Sequence, residues 1–328
     1  MSAVRSKTDG FIPGVNASVA ELLATRPDLS SSGFAPSGKV STHQFGVNRS
    51  VFSGRGMEFD ESRIYQPGDD IKTIDWRVTA RTGEVHTKLF REERERPVFV
   101  LLDCRRGMQF GTRVRFKSVL AAQTAAMLCW VGIDGGDRVG GFILDQCGLR
   151  DFPATRSRTN MLSFMRAMSD ATCVQECNTA EPSLSQALRR LRLVCRTGTL
   201  AFIISDFADL DDIALAEIKR LSLHAHVTNV LVYDPLDQQL PTGSDLRVSD
   251  GERVLSLQQL GTQQRELHSR GFAERREILQ NVSRQRAMAF HALPVSAEPN
   301  SILHPHRSRR QPTLNRLVPA HPNGRLTA

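Results

Sequence analysis

The chain has no long run of apolar residues. Its most apolar stretch, VLAAQTAAMLCWVGI from Val119, is interrupted by Gln123 and is shorter than the roughly 18 residues that indicate a membrane-spanning helix. The first residues, MSAVRSKTDGFIPG, lack the apolar segment and small-residue cleavage site of a secretory leader. We therefore expect no membrane span and a location in the cytoplasm.

The six cysteines include no CxxC pair of the kind that binds zinc. They are scattered along the chain in apolar surroundings, at Cys104, Cys129, Cys147, Cys173, Cys177 and Cys195. A cytoplasmic protein with this pattern is expected to keep its thiols reduced and buried.

Familiar hydrolase and nucleotide-binding motifs are also missing. No GxSxG or HExxH sequence occurs, which removes the easily identified serine hydrolase and zinc protease patterns. The stretch GFAPSGKVS from Gly33 approaches a phosphate-binding loop, but Val40 replaces the magnesium-binding hydroxyl. No buried strand precedes it, so we do not expect nucleotide binding.

Acidic residues are absent from the C-terminal end. Residues 304–328 carry five arginines and no acid, in a chain whose net charge is +8. We interpret residues 293–328 as a basic, proline-rich tail that ends in solvent; the alternative is contact with nucleic acid or anionic lipid. Aromatic side chains that could stack on bases are missing there, so nucleic acid is not expected as a partner.

The rest of the chain divides into three parts. Residues 1–37 are rich in Ser, Gly and Pro and predict a flexible N-terminal arm. Residues 38–97 combine short extended segments with turns and predict a β-rich subdomain. Residues 98–292 alternate strands with helices, which predicts an α/β domain with a doubly wound, mostly parallel, Rossmann-like sheet.

Three predicted strands of the α/β domain end in an acidic residue. VFVLLD ends at Asp103, TLAFIISD at Asp206 and VTNVLVYD at Asp234. Because ligands of open parallel sheets bind at the carboxyl ends of the strands, these side chains could share a site. Helix capping and turn formation are the alternative roles, for which Asp is equally suited.

Tyrosine and tryptophan are scarce, with two of each in 328 residues, yet the segment IYQPGDDIKTIDW (64–76) contains one tyrosine and one tryptophan. Pro67 and Gly68 predict a type II turn, and Asp69 can bond nearby amides. Arginines at 55, 63, 77 and 81 surround this segment. We expect a network of opposite charges that Tyr65 and Trp76 shield from water.

These residues resemble the signature of the domain of unknown function 58 family. The resemblance rests first on an ordered set around the Pro-Gly turn and continues through GDRVGGFIL, AFIISDFADL and VLVYDPLDQQLP, covering about residues 38–292. The set comprises Gly54, Gly56, Glu58, Phe59, Arg63, Tyr65, Pro67, Gly68, Asp69, Asp70, Ile74, Asp75, Trp76, Ala80 and Arg81.

The resemblance implies a fold and partners. Members of this family resemble von Willebrand factor A domains and are commonly paired with MoxR-type AAA+ ATPases in bacteria. It implies a von Willebrand factor A-like domain over residues 98–292, with a MoxR-type ATPase and other von Willebrand factor A proteins as partners.

The resemblance also implies a metal-ion-dependent adhesion site, from which this chain departs. Asp103 and Asp206 match, but Arg105 and Gly107 replace two serines, and Pro182 stands at the threonine position, next to Ser183. Magnesium needs about six oxygen ligands. We predict a degenerate, metal-free site without a cofactor, in which Arg105 bridges both aspartates; the alternative is Mg²⁺ completed by waters or a partner.

Two roles remain open for the segment around the Pro-Gly turn. It could clamp the β-rich subdomain against the α/β domain, or it could dock a partner through Arg63, Tyr65, Gly68, Asp69, Asp70, Asp75, Trp76 and Arg81. We expect a non-enzymatic adaptor that works with a MoxR-type ATPase in assembling or activating a client complex. The alternative is a metal-dependent hydrolase or nuclease that uses the strand-end aspartates.

Overall fold

The computed structural model describes residues 11–27, 49–50, 57–92, 96–174, 177, 180–241, 246–249 and 254–303. Within these residues, no helix is both long and apolar enough to cross a membrane. The phosphate-loop-like stretch at 33–41, Gly54, Gly56 and the tail from His304 lie outside the described residues.

A six-stranded sheet forms the centre of the α/β domain, in the order β11-β8-β7-β4-β5-β6. Five strands are parallel, and β6 pairs antiparallel with β5 at one edge. The predicted doubly wound, mostly parallel α/β fold is therefore confirmed at this level. The strands are β4 (Pro97–Asp103), β5 (Arg138–Asp145), β6 (Gly148–Thr155), β7 (Thr199–Ser205), β8 (Ala225–Tyr233) and β11 (Ala289–Pro294).

Helices cover both faces of this sheet. Along β4, Val98, Val100 and Leu102 belong to the core cluster beneath α3 and α4, whereas Phe99 and Leu101 belong to the cluster beneath α5, α6 and α8. Alternation of this kind, with every residue apolar, is typical of a strand buried on both faces. The helices are α3 (Lys117–Asp134), α4 (Arg158–Thr172), α5 (Leu184–Val194), α6 (Asp212–Leu221), α7 (Pro235–Gln238) and α8 (Thr262–Gln285).

Both ends of the α/β domain extend beyond the predicted boundaries. Helix α1 (Val19–Ala24) contacts α3 and α4, and its Leu22 is fully buried. The prediction of a flexible arm is therefore wrong for residues 11–27. At the other end, Ile302 and Leu303 are buried in the same core cluster, so the tail begins later than residue 293.

A small antiparallel sheet precedes the α/β domain, as the β-rich prediction proposed. Strand β3 (His86–Glu92) lies between β1 (Arg49–Ser50) and β2 (Met57–Ile64). Between β2 and β3 come the Pro-Gly turn, a 3-10 helix at Ile71–Thr73 and helix α2 (Trp76–Thr82). A separate two-stranded hairpin consists of β9 (Arg247–Ser249) and β10 (Val254–Ser256).

The cysteines only partly follow the prediction of reduced, buried thiols. Cys104, Cys129 and Cys195 are free and buried, and burial raises the pKa of the Cys129 and Cys195 thiols to about 12. Cys147 and Cys177, however, form a disulfide with a Cα–Cα distance of 5.5 Å. The prediction of reduced thiols is therefore wrong for these two cysteines. They can pair because the β5–β6 turn and the segment after α4 lie side by side.

Candidate functional site

Asp103 and Asp206 lie at the same edge of the sheet. Asp103 is the last residue of β4, and Asp206 immediately follows β7. These strands are adjacent and parallel, with Leu102 opposite Ile204. The strand order reverses between these two strands, and this is where open α/β sheets form a ligand crevice. The two carboxylates therefore follow neighbouring strands at this edge.

Arg105 holds the Asp103 carboxylate with a complete set of hydrogen bonds. Its backbone N and Nε donate to Oδ1 at 3.1 and 3.0 Å, and its Nη2 donates to Oδ2 at 2.7 Å. Ser205 Oγ donates to Oδ2 at 2.7 Å. Asp103 is fully buried, and a buried carboxylate is tolerated only when paired and hydrogen-bonded in this way.

The second carboxylate bound by Arg105 belongs to Asp209, not to Asp206. Nη1 and Nη2 donate to Asp209 at 2.6 and 2.8 Å, and Nη1 also donates to the Pro182 carbonyl at 3.2 Å. The prediction that Arg105 bridges Asp103 and Asp206 is thus right for Asp103 and wrong for Asp206. The tight turn after β7, with Phe207 at φ 51°, presents Asp209 to the guanidinium.

Asp206 has a cation of its own. Lys117, the first residue of α3, donates from Nζ to Asp206 Oδ2 at 2.8 Å and lies 3.2 Å from Asp237 Oδ2. The lysine is only 4% exposed. A buried ammonium between two carboxylates therefore lies beside the buried guanidinium, and the edge of the sheet carries two cations supplied by the chain.

The pKa values of the aspartates follow these pairings. Burial raises the pKa of Asp103, and it outweighs the opposing effect of Arg105. Burial acts in the same direction on Asp206 and Asp209, but Lys117 and Arg105, respectively, lower the pKa of each below its usual value. The Asp206 and Asp209 carboxylates are therefore ionised at neutral pH.

The donor set at this edge does not fit a magnesium ion. Both oxygens of Asp103 accept hydrogen bonds from Arg105, and those of Asp206 accept from Lys117 and from the Ala208 amide. Magnesium would need these same oxygens for its near-octahedral shell. Arg105 and Gly107 stand where the resemblance implies serines, so the side chains at this edge neutralise one another instead of forming a set of metal ligands.

Asp234 serves as a helix cap. Its side chain accepts from Leu236 N at the start of α7 and from Thr112, through the backbone N at 2.9 Å and Oγ1 at 2.8 Å. This agrees with the capping role considered for this residue. It also fixes the loop before α3 to the end of β8.

The Pro-Gly turn is held from within by Asp69. Gly68 has φ +109°, and Asp69 N donates to the Gln66 carbonyl at 3.0 Å, closing the turn. The Asp69 side chain accepts from Gln66 N at 3.0 Å and from Arg63 Nη2 at 2.8 Å, and these bonds lower its pKa. Tyr65 OH reaches the Asp69 carbonyl at 3.4 Å.

The two following aspartates begin helices. Asp70 caps the 3-10 helix through Lys72 N, and Asp75 caps α2 through Arg77 N and Val78 N. Asp75 also accepts from Ser62 Oγ at 2.8 Å and is buried. These bonds lie inside the small subdomain, so the acids of the signature stabilise its own turns.

The aromatic shield expected over this network is incomplete. Tyr65 is partly buried, but Trp76 is 67% exposed and Arg81 is exposed. The shielding role predicted for Trp76 is therefore wrong, and its indole is open to solvent.

Sequence reasoning missed Lys117 and Asp209. The lysine immediately precedes the apolar run of α3, a place where a charge is buried and needs a partner. Asp209 stands within the FADL segment after β7, but nothing in its spacing indicates that it faces Arg105. That pairing depends on the turn at Phe207, which strand and helix patterns do not specify.

The chain matches one protein family and several uncharacterized relatives. Residues 61–287 match the family described as "Protein of unknown function DUF58". Uncharacterized proteins of Mycobacterium bovis and Mycobacterium tuberculosis are 32% identical over 208 residues, which cover 63% of this chain. The alignment spans 64% of the length of these relatives, less than two thirds.

A solved structure is also similar, at a low level. The crystal structure of conserved hypothetical protein BatB from Bacteroides thetaiotaomicron is 15% identical, with a TM-score of 0.39, over 63% of this chain and 93% of that one. Similarity at this level carries no argument about function. The family match extends over more than half of the sequence, and the chain belongs to the DUF58 family.

Proposed function

We propose that the protein is a non-enzymatic adaptor that docks a MoxR-type AAA+ ATPase through its small N-terminal subdomain and presents a von Willebrand factor A-like domain to a client complex. The partner class comes from the family resemblance. The docking surface is inferred from the large apolar side chains that are exposed on and beside the segment around the Pro-Gly turn.

Three such side chains lie within residues 64–76, and a fourth, Val85, immediately precedes β3. We call them the signature surface; they are Ile64 at 58%, Ile71 at 67%, Trp76 at 67% and Val85 at 43% exposure. Backbone hydrogen bonds from Tyr65 N to the Val85 carbonyl and from Asp75 N to the His86 carbonyl join the segments that carry them.

Exposed tryptophan beside arginine is characteristic of interface anchors. Tryptophan and arginine are enriched among residues that contribute most to protein binding, and Arg77 and Arg81 are exposed on the same short helix as Trp76. The Asp75 side chain caps the start of that helix, and a helix that is already formed loses less conformational entropy when a partner binds.

The geometry of the sheet edge gives no comparable support to the hydrolase alternative. A general base must be free to accept a proton from water or substrate. The Asp103 and Asp206 oxygens instead accept from Arg105, Ser205 and Lys117, which favours a structural role for them.

The test is association of the full chain with a purified MoxR-type ATPase, in the presence of ATP. Trp76→Ala should weaken association by about 30-fold, because truncating an interface anchor costs about 2 kcal/mol or more. Leu223→Ala is the control, since Leu223 is 72% exposed on the α/β domain. Unchanged ATPase association in the Trp76 variant, with an unchanged melting temperature, would exclude this surface.

A further inference from the structure

A large groove lies beside the edge of the sheet and takes no part in the pairings of Arg105 and Lys117. Its volume is about 840 Å³, within the range of sites that hold small molecules or peptide segments. Three segments line it: residues 110–113 before α3, residues from 235–241 around α7, and residues 246–249 of β9. We call it the arginine groove.

Hydrogen bonds anchor each wall of the arginine groove. The loop before α3 is tied to the end of β8 through Thr112 and Asp234. The Leu236 carbonyl of α7 lies 2.8 Å from His268 Nε2 of α8. On the third wall, Leu257 N donates to the Leu246 carbonyl at 2.9 Å, and Leu257 is buried. The groove is thus a built feature of the fold.

Two arginines lie in the described lining of the groove. Arg113 and Arg247 line it from opposite segments and are both exposed. Among the described residues, the ion pairs include no carboxylate partner for either arginine. Asp237 of α7 is paired with Lys117, and Asp234, which caps α7, accepts a hydrogen bond from Thr112. An anionic ligand would therefore find two exposed guanidinium groups that have no carboxylate partner in the part of the chain that the structure describes.

The third wall presents the edge of a strand. A strand that lined the groove with one face would contribute alternate residues, but β9 and its preceding residue contribute four in a row, 246–249. Because the Leu246 carbonyl bonds to Leu257 N, the backbone groups of Arg247 point to the opposite edge of the hairpin. In the described part of the hairpin, β10 is the only strand paired with β9.

Apolar side chains complete the lining. Phe110 and Leu236 belong to the two walls nearest the sheet, and Leu246 is 49% exposed at the third. Apolar surface beside guanidinium groups and an open strand edge selects a ligand that alternates acidic and apolar side chains on an extended backbone.

We propose that the arginine groove binds an extended acidic segment of a partner protein, which adds to β9 as a third strand. Hydrogen bonds to the backbone groups of Arg247, which face away from β10, hold the segment. Its carboxylates pair with Arg113 and Arg247, and its apolar side chains cover Phe110, Leu236 and Leu246. Single-stranded nucleic acid fits less well, because it needs exposed aromatic rings for stacking. Phe110, the sole aromatic residue of the described lining, is half-buried, with Lys117 Nζ 6.0 Å from its ring.

This site is independent of the proposed ATPase docking. None of its residues belongs to the signature surface, and its test requires no ATPase. Loss of one activity therefore does not entail loss of the other.

The probes are fluorescein-labelled eight-residue peptides in which Glu or Asp alternates with Leu, Val or Phe, titrated against the full chain by fluorescence anisotropy. Arg113→Glu and Arg247→Glu should each weaken binding by about tenfold or more, since like charges are then brought together. Arg166→Glu is the matched control, because Arg166 is exposed on α4, which contributes no residue to the described lining of the groove.

Two further measurements address the mode of binding and the class of ligand. Peptides with proline at a central position should bind at least about tenfold more weakly, because proline cannot donate to a strand ladder, and hydrogen exchange at residues 246–249 should slow when the parent peptide binds. Failure of every acidic peptide to bind, equal loss in the Arg166 variant, or tighter binding of a single-stranded oligonucleotide would each overturn the proposal.

Discussion

Single residues decide whether the edge of the sheet holds its charges in balance. Arg105 and Lys117 each neutralise a buried carboxylate, and removing one partner of such a pair leaves the other charge buried and unpaired. The pKa shifts give each pairing its own pH dependence. Stability measured against pH can therefore test them one at a time.

Lys117→Met should destabilise the fold most strongly at neutral pH. In the wild type, Lys117 lowers the pKa of Asp206, so this pairing contributes stability above about pH 3.9, the unfolded value, and loses it as the pH falls through the lower folded value. Without the ammonium, burial raises the pKa of Asp206. We expect a loss of about 3 kcal/mol at pH 7, which shrinks below pH 4.

The measurement is the free energy of unfolding in urea between pH 3 and pH 7. Lys72→Met serves as the control, because Lys72 is exposed and its replacement should change stability by less than about 0.5 kcal/mol. A deficit for Lys117→Met that stays constant across this pH range would contradict the assigned pairing.

At this scale the sequence predicts positions better than partners. Asp103, Asp206 and Arg105 are predictable at the edge of the sheet because each ends or follows an apolar strand. Asp209 is not, because the choice between Asp206 and Asp209 depends on a backbone turn at Phe207, and Asn, Asp or Gly is usual where φ is positive.

Among the elements, the turn between β5 and β6 is joined to the segment after α4 by the Cys147–Cys177 disulfide. Nearby, Arg106 N donates to Glu181 Oε1 at 2.7 Å and Gln109 Nε2 donates to the Cys173 carbonyl at 3.4 Å. The segment after α4 thus contacts the loop that carries Arg105, close to the carboxylate pairs.

Cys147→Ser should lower stability only under oxidising conditions. A disulfide between residues separated by 30 positions constrains the unfolded chain and stabilises the fold by about 3 kcal/mol. With dithiothreitol present, the wild type and the variant should unfold alike. Cys173→Ser is the control, because this exposed thiol is free.

Urea unfolding with and without reductant gives the comparison, and alkylation followed by mass spectrometry identifies the paired thiols. Alkylation of both Cys147 and Cys177 in protein kept oxidised would rule out the disulfide. The pairing could not be predicted from sequence, since spacing does not reveal which of six cysteines approach each other.

The four interior strands of the large sheet were predictable, whereas its edge strands β6 and β11 and the long helix α8 were not. The four runs that became β4, β5, β7 and β8 lie in the sheet's interior, where both faces are buried and most residues are apolar. Strand β6 is a partly polar edge strand that contains Pro153. Helix α8 buries only Phe272, Leu279, Val282 and Ser283 of its 24 residues, so its apolar stripe is narrow.

On the scale of the whole molecule, the α/β domain is larger than the sequence suggests. Ala17 and Leu22 before it and Ile302 and Leu303 after it are buried in one core cluster. The short apolar groups at these ends are separated from the domain by polar or Gly- and Pro-containing sequence, which is why the pattern there predicts an arm and a tail.

The melting temperature of the whole protein should not respond to magnesium. An ion that bound the folded state with a dissociation constant a hundredfold below its concentration would stabilise it by about 2.7 kcal/mol, or about 5–10 °C for a domain of this size. Because Arg105 and Lys117 occupy the carboxylates, we expect a shift below about 1 °C.

Differential scanning calorimetry in millimolar MgCl₂, against the same ionic strength of NaCl, measures the shift. Arg105→Ser is the informative variant, since it restores a hydroxyl ligand and frees Asp103. A rise of several degrees in the wild type would show that the ion displaces the side chains.

Because both cations are covalent parts of the chain, chelators cannot strip them and a shortage of divalent metal in the cell cannot deplete them. The electrostatic character of this rim is set at translation. Only a change in local acidity, or replacement of the residues themselves, can alter it.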